Sequence, residues 1–526
     1  MAGGGLFILV AYGSQNVILS GNPDFTYFYT TLKKYSHFAF ESVTVPLEGP
    51  QELFFSESIK LRAKIKQVGD LLSDLYFTFS LPDIYSKYFD ANLAGPLNGR
   101  SQYQFQWVRY IGAQIIENAT FLIGGTQVQQ FDSDYIISTA FTDQDETQYN
   151  KWRQLVGDVP DLYDPANGQY SGGVGNAVTR TPGLYPDVLR NTDPTLKAQN
   201  NFPSIPGRDI TLPLSFWFSQ NSGLALPLIA LQYHDCEVQL TLRPIQDLYT
   251  ILDPSGYRVR PENKVNASVS QLQSGNVSYL PNNDPGQYIN QYLTDIGYTV
   301  PTLNTWPLNP RLQATFIYVT DDERRTFATK PLNYIIRQVT KYSFENITSR
   351  QLFDLYTHNP VPRLIIIPRR TDSVLRMNAW TNYTNWWRYG YSPFIPAASA
   401  AIPSGYSGVN IVAMQQDLLR NIRILCDGNE AQEIKPLNYF NQLSSWKYAT
   451  GVFPPGLAIY SFALDTSKWV KPSGSLNTSR VKNFQIDLDP WPLAQNSLFA
   501  INYDVYVESI NFLVIEGGMG GIKYAK

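Results

Sequence analysis

The chain has 526 residues, of which 16% are charged and 14% aromatic, and its formal net charge is -3. A typical chain is about 25% charged, and this near-neutral balance offers no basic field that could release counterions from nucleic acid, so direct nucleic-acid binding is excluded. The length exceeds what a single hydrophobic core fills, and two large units fit it best.

Frequent Gly and Pro (35 of each) beside 35 Tyr and 28 Phe describe a β-rich chain broken by many turns. Only two cysteines occur, Cys236 and Cys426, which rules out a disulfide framework and suits a reducing compartment. The apolar run from Leu6 to Ala11 has no basic residue before it, the first being Lys33, so a secretory signal is not expected. The richest apolar stretch, Leu224 to Leu231, is short and broken by Pro227, too little for a membrane-spanning helix of about 20 residues.

In chain order, Leu75, Phe77 and Phe79 alternate with polar residues in the first strand pattern. Next comes Asn118-Ala-Thr-Phe-Leu-Ile-Gly-Gly-Thr-Gln-Val-Gln, read as a strand, a Gly turn and a strand. Residues 132–208, rich in Gly, Pro, Asn and Asp, are expected to be a long surface loop, with Tyr149 to Val156 a candidate for helical spacing. Asp235 to Arg243 alternates again, Cys236, Val238, Leu240 and Leu242 sharing one face. A second loop insertion covers 244–309, before a strand from Leu312 to Val319. The polar stretch Asp321 to Pro331 is the expected boundary between units.

Beyond it the pattern repeats. Asn421-Ile-Arg-Ile-Leu-Cys-Asp-Gly-Asn-Glu-Ala-Gln echoes the Asn118 segment, and Ile459 to Leu488 echoes Leu214 to Leu242, in the same order. A final strand sets Ile501, Tyr503, Val505 and Val507 against Asn502, Asp504 and Glu508. One antiparallel module has been duplicated, and each copy is of a size for a β-sandwich or barrel such as a jelly roll.

Candidate chemistry is sparse. Three histidines, His37, His234 and His358, give imidazole catalysis little material. His234 beside Cys236 supplies two of the roughly four ligands a structural zinc needs, so a buried structural role is the expectation. Asp321, Asp322 and Glu323 fit a solvated turn beside Arg324 and Arg325 better than the acid pair of a glycosidase. The cluster Trp386 to Tyr391 could stack on sugars, but packing at a loop or subunit contact is favoured. Gly517-Gly-Met-Gly-Gly521 lacks the Lys-Ser/Thr ending of a phosphate loop and is expected to be a flexible turn. Sequons at Asn118, Asn266, Asn276, Asn346, Asn382 and Asn477 are expected to be chance matches. No catalytic, cofactor-binding or metal-binding residue is assigned, and no enzyme activity is expected.

Two rival classes, a carbohydrate-binding β-sandwich and a β-sandwich glycosidase, would rest on the Trp386 region and on the acid pairs. Longer signatures favour a third. The segment Met1-Ala-Gly-Gly-Gly-Leu-Phe-Ile-Leu-Val-Ala-Tyr-Gly-Ser-Gln-Asn through Asp24-Phe-Thr, and His37-Phe-Ala-Phe-Glu-Ser42, resemble the amino-terminal signature of major capsid proteins from nucleocytoplasmic large DNA viruses. So do Gly223 to His234, Tyr318 to Ala328, Tyr460 to Leu464 and Gly517 to Ala525, in family order. The chain departs at Leu32-Lys33-Lys34, where relatives commonly have Tyr-Arg-Arg, and at Asn16, an expected Asp.

The resemblance implies an all-β double jelly roll: two tandem antiparallel eight-stranded jelly rolls with long loop insertions. An arm would occupy 1–30, a first jelly roll with surface loops 31–328, and a second jelly roll 329–526. It further implies a homotrimer of pseudo-hexagonal outline that tiles an icosahedral shell beside neighbouring capsomers, in a virion assembled in the host cytoplasm. Minor capsid and penton proteins, an underlying internal membrane and glycans on outer loops are the further partners implied. A minor or penton-associated jelly-roll capsid protein is the alternative within the same class.

Overall fold

The structure is a computed structural model that describes residues 3–6, 13–86, 103–165, 185–186, 203–253, 257–266, 277–295, 298–385, 417–467 and 471–524. Trp386 to Tyr391 and Asn276 lie outside the described residues. A short helix, α1 (Ser14–Ser20), precedes the strands and buries none of its residues.

Eight strands make the two main sheets of the first unit: β1 (Phe38–Val45), β2 (Ile59–Ile65), β3 (Leu71–Leu81), β4 (Ile116–Ile123), β5 (Thr126–Phe131), β6 (Arg208–Pro213), β7 (Cys236–Leu242) and β8 (Arg311–Val319). They form two antiparallel sheets in the orders β1-β8-β3-β6 and β2-β7-β4-β5, with Leu226–Pro227 also joined to β3. The second unit repeats this: β9 (Leu332–Ile347), β10 (Gln351–Asp354), β11 (Arg363–Arg370), β12 (Leu419–Cys426), β13 (Asn429–Pro436), β14 (Ala458–Ser461), β15 (Phe484–Pro490) and β16 (Ile501–Glu516). Its sheets run β9-β16-β11-β14 and β10-β15-β12-β13, the same order strand for strand. Two facing four-stranded sheets in this order are a jelly roll, present twice.

Alternation explains the sandwich. In β2, Ile59, Leu61, Ala63 and Ile65 are buried while Lys60, Arg62 and Lys64 are exposed. Its neighbour β7 pairs in register, Cys236 with Ile65 through Leu242 with Ile59, and turns the same face inward. The two echoed segments are the hairpins β4–β5 and β12–β13, and their turns share one geometry. Gly124 and Gly125 have φ of 56° and 78°, Asp427 and Gly428 of 50° and 80°, the left-handed pair that suits the twist of a two-residue hairpin.

Three expectations are corrected. Within 132–208 the part up to Leu155 is not a surface loop: it forms α2 (Ser133–Asp143), buried from Ser133 to Thr142, and α3 (Glu146–Leu155), the latter where Tyr149 to Val156 shows helical spacing. Asp132 caps α2 by accepting from Tyr135 N at 3.0 Å, and Asp145 caps α3 by accepting from Gln148 N at 2.7 Å. The polar stretch at the boundary is a helix, α4 (Asp321–Thr329), rather than a turn. Asp321, Asp322 and Glu323 lie in its first turn, where the helix dipole favours negative charge. Arg324 ties it to the first unit through Asp70, Nε to Oδ1 at 3.0 Å. Finally, Gly517 to Gly521 is an ordered hairpin in which β17 (Met519–Ile522) pairs back on β16.

The seam between the two jelly rolls as the candidate functional site

One apolar cluster runs through the first unit and on into the second, taking in Tyr334, Ile336, Ile365, Ile367, Tyr506, Leu513 and Ile515. A separate cluster fills the second barrel and includes Ile501, Tyr503, Val505 and Val507. Strand β16 therefore serves two different cores, with Tyr506 turned to the first between Val505 and Val507 of the second. Of the polar residues that alternate with the apolar ones there, Glu508 meets Tyr135 of the first unit and Asp504 meets Lys341 and Arg369, while Tyr506 between them donates to Asp132.

Helix α2 is the first unit's contribution to this seam. It carries Asp134 and Asp143, and its cap is Asp132; the second unit answers with Lys341, Arg363 and Arg369. Arg363, fully buried, places Nη2 3.0 Å from Asp143 Oδ2 and 2.6 Å from Glu508 Oε1. Glu508 also accepts from Tyr135 OH at 2.7 Å and from Arg337 Nη1 at 3.3 Å. Arg369 grips Asp134 with both terminal nitrogens, Nη1 to Oδ2 at 2.9 Å. Asp132 accepts from Lys341 Nζ at 3.0 Å and from Tyr506 OH at 2.7 Å.

Burial opposes charge at each of these groups, and the partners overcome it. Burial raises the Asp134 carboxyl, but Arg369 and Lys341 outweigh it and hold it below the ordinary range. Burial disfavours the Lys341 ammonium, yet Asp132, Asp134 and Asp504 push it above its usual value. Asp143 and Glu508 likewise hold the buried Arg363 charged. Burial first, then Glu508, keeps Tyr135 protonated as a donor. Each of these charges is stable only while its partner is present.

Two further contacts close the seam. Asn378 Nδ2 donates to the carbonyls of Gln246 and Tyr249 at 2.7 and 2.8 Å, and Arg243 stacks 4.0 Å over the Trp380 ring. The C-terminal hairpin docks on the loop before β7. Tyr233 N donates to Gly518 O at 3.0 Å, and His234 Nδ1 lies 3.0 Å from Gly520 O. Gly518 has φ of +83°, and a Cβ there would lie 2.6 Å from the Tyr233 ring. Two signature segments far apart in sequence are thus in contact.

His234 is half-buried and serves this junction. Cys236 is buried on β7, with burial pushing its thiol up to about 12. His37 and His358 are exposed. Among the described residues no three of His, Cys, Asp or Glu gather to hold a metal. Of the sequons, Asn382 is buried, Asn118 half-buried, and Asn266, Asn346 and Asn477 exposed. Alternation misses the seam residues because a polar position on a strand does not disclose what faces it; three Asp within twelve residues, with Arg363 and Arg369 elsewhere to match them, were the one available signal.

Comparison with known proteins agrees with this architecture. Residues 26–282 match the family model for the major capsid protein N-terminus, and residues 323–521 that for the large eukaryotic DNA virus major capsid protein. The major capsid protein of Paramecium bursaria Chlorella virus 1 is 26% identical over 549 residues, covering 99% of each chain. That of Phaeocystis pouchetii virus is 23% identical, again over 99% of each. Among solved structures, the quasi-atomic PBCV-1 virus capsid superposes with a TM-score of 0.62 at 20% identity, covering 95% of this chain and 100% of that one. The Faustovirus major capsid protein gives 0.61 at 14%, covering 96% and 94%.

Proposed function

This chain belongs to the major capsid protein family of large eukaryotic DNA viruses, and we propose that three copies of it close into a pseudo-hexagonal capsomer. It is a structural subunit of the virion capsid, and self-association is its activity. The observation that carries the trimer is the pair of barrels with identical strand order fused by a charged seam. Three such chains supply six like barrels to a ring, and lateral contacts between rings extend the shell.

In this reading residues 1–30 are an arm, 31–328 the first jelly roll and 329–526 the second. The arm and the segment after it display large apolar side chains from Val17 to Tyr35, Phe28 being 99% and Leu32 91% exposed. Fully burying one such side chain is worth roughly 1.5–3 kcal/mol, so a contiguous series of them calls for a partner. Neighbouring subunits, minor capsid and penton proteins and the membrane-facing side of the shell are the partners we assign it. Assembly in the host cytoplasm agrees with two free cysteines. The net charge of -3 argues against direct contact with the genome.

Imaging and sedimentation of the purified chain test this. Trimeric rings are expected, and a monomer at assembly concentrations would overturn the proposal. Deleting residues 1–25 should block shell assembly while leaving the barrels folded; unimpaired assembly would remove the arm from the contact set.

A further inference from the structure

Beside the Asp143–Arg363 pair the two units enclose a cavity of about 580 Å³, inside the range of about 300–1,000 Å³ typical of small-molecule sites. We propose that it binds a small sugar acid, a ring of hydroxyls bearing one carboxylate, and that the bound sugar holds the two barrels of a chain together. The site lies within a single chain, so it stands or falls separately from the trimer reading.

Its floor is Tyr135, Ile136 and Thr139 of α2 with Trp152 of α3, all buried. The polar atoms of that floor are already engaged. Tyr135 OH donates to Glu508, and Thr139 Oγ1 donates to the carbonyls of Tyr135 and Ile136 at 3.0 and 2.9 Å. What remains is an apolar base for the carbon face of a ring. One wall is the end of α2 and the segment after β6; the opposite wall is Ser467 and Lys471 of the second unit, in the loop after β14. The end of α2 is fixed to that unit, because the N–H groups of Thr450 and Gly451 both donate to Thr142 O, at 3.0 and 3.2 Å.

The walls, unlike the floor, hold polar groups that await a partner. Gln144 Oε1 is buried with no hydrogen-bond donor on it, a state that native proteins seldom leave unmet, and a ligand hydroxyl supplies the donor. Asn221 Oδ1 accepts from Gly223 N at 2.8 Å, which leaves its amide nitrogen to donate. Gln148 and Gln220, both exposed, add carboxamides that donate and accept at once, as sugar hydroxyls require. Charge then sets the class. Asp143 is the sole carboxylate among the described lining residues, and Arg363 Nη2 sits 3.0 Å from its Oδ2, so no acid is left for a cation. Lys471 is exposed and has no acidic partner among the described residues. One ammonium without an arginine suits the single charge of a carboxylate better than the double charge of a phosphate ester. Carboxamides from the first unit and the ammonium from the second meet only when the barrels are joined, so a ligand that touches both stabilises that arrangement by mass action.

The test titrates the full chain with glucuronate, with glucose and inorganic phosphate as controls, by calorimetry and thermal melting. Glucuronate should bind at millimolar concentrations and raise the melting temperature, and each control should bind about tenfold more weakly. Lys471→Gln should weaken glucuronate about tenfold and leave glucose unchanged. Gln144→Leu should weaken both sugars about fivefold. Gln148→Trp places a large ring at an exposed position of the mouth and should abolish binding with the circular dichroism spectrum intact, which keeps the test readable should Gln144→Leu fail to fold. Absence of a glucuronate-dependent melting shift would overturn the proposal, as would equal binding of glucose or phosphate, or a shift that survives both Lys471→Gln and Gln148→Trp.

Discussion

The hairpins β4–β5 and β12–β13 share a sequence pattern, a turn geometry and a place in the sheet, yet β5 is largely buried from Val128 onward and β13 is exposed almost throughout. The difference is not in the hairpins. It lies in the segment after each one: a helix with two carboxylates and a third at its cap meets a strand face bearing arginines, whereas an uncapped run without acidic residues, carrying Trp446, leaves that side chain open to solvent. Duplicated modules thus acquire distinct roles when the pieces between their strands change, while the barrels stay alike.

Breaking the covered side should have the largest effect. Arg363→Met leaves Glu508 fully buried and Asp143 half-buried with their shared partner removed, and unfolding in urea should show a loss of about 3–5 kcal/mol. No comparable loss is expected from Ile434→Glu in the monomer, because that side chain is half exposed.

Acid should open the same seam. Asp134 has its carboxyl held below the ordinary value, so its contribution is fully present above the unfolded pKa of about 3.9 and is lost as pH falls through the lower folded one. Lys341 is raised, so its contribution is present below about 10.4 and is lost as pH rises through the higher folded value. The urea midpoint should therefore be level between these limits. Asp134→Asn should lower the plateau and flatten the acid limb; an unchanged limb would show that Asp134 is not what titrates there.

The smallest effects sharpen the comparison at the turns. A Cβ at Gly428 meets nothing within 4 Å but must adopt φ of +80°, so Gly428→Ala should cost about 1–2 kcal/mol. At Gly124 a Cβ would also lie 2.7 Å from the His234 ring, and Gly124→Ala should add a further cost of roughly 1–3 kcal/mol for the overlap. Equal melting shifts for the two variants would mean that His234 yields freely. This neighbour also accounts for Gly at 124 where the second hairpin has Asp427, whose carboxylate accepts from Lys482 N and Asn483 N at 2.9 and 2.8 Å.

The strands, the duplicated hairpins and the repeat of one module were legible from residue order alone, because alternation and turn geometry are local properties. Leu75 to Phe79, Asp235 to Arg243 and Ile501 to Val507 each fall in strands within a residue or two of where alternation places them. Helix α2 was not legible. A helix buried on every side has no apolar stripe, and its Ser, Thr and Asp read as loop until their partners are known.

The sequence by itself therefore determined which residues alternate, where the chain turns and that one module occurs twice. Only the tertiary structure decided which polar faces meet water and which meet each other. Glu508, Arg363 and Asp143 come from three distant segments, and a charge becomes a buried partner instead of a surface residue only when a second, opposite charge is brought within hydrogen-bond reach.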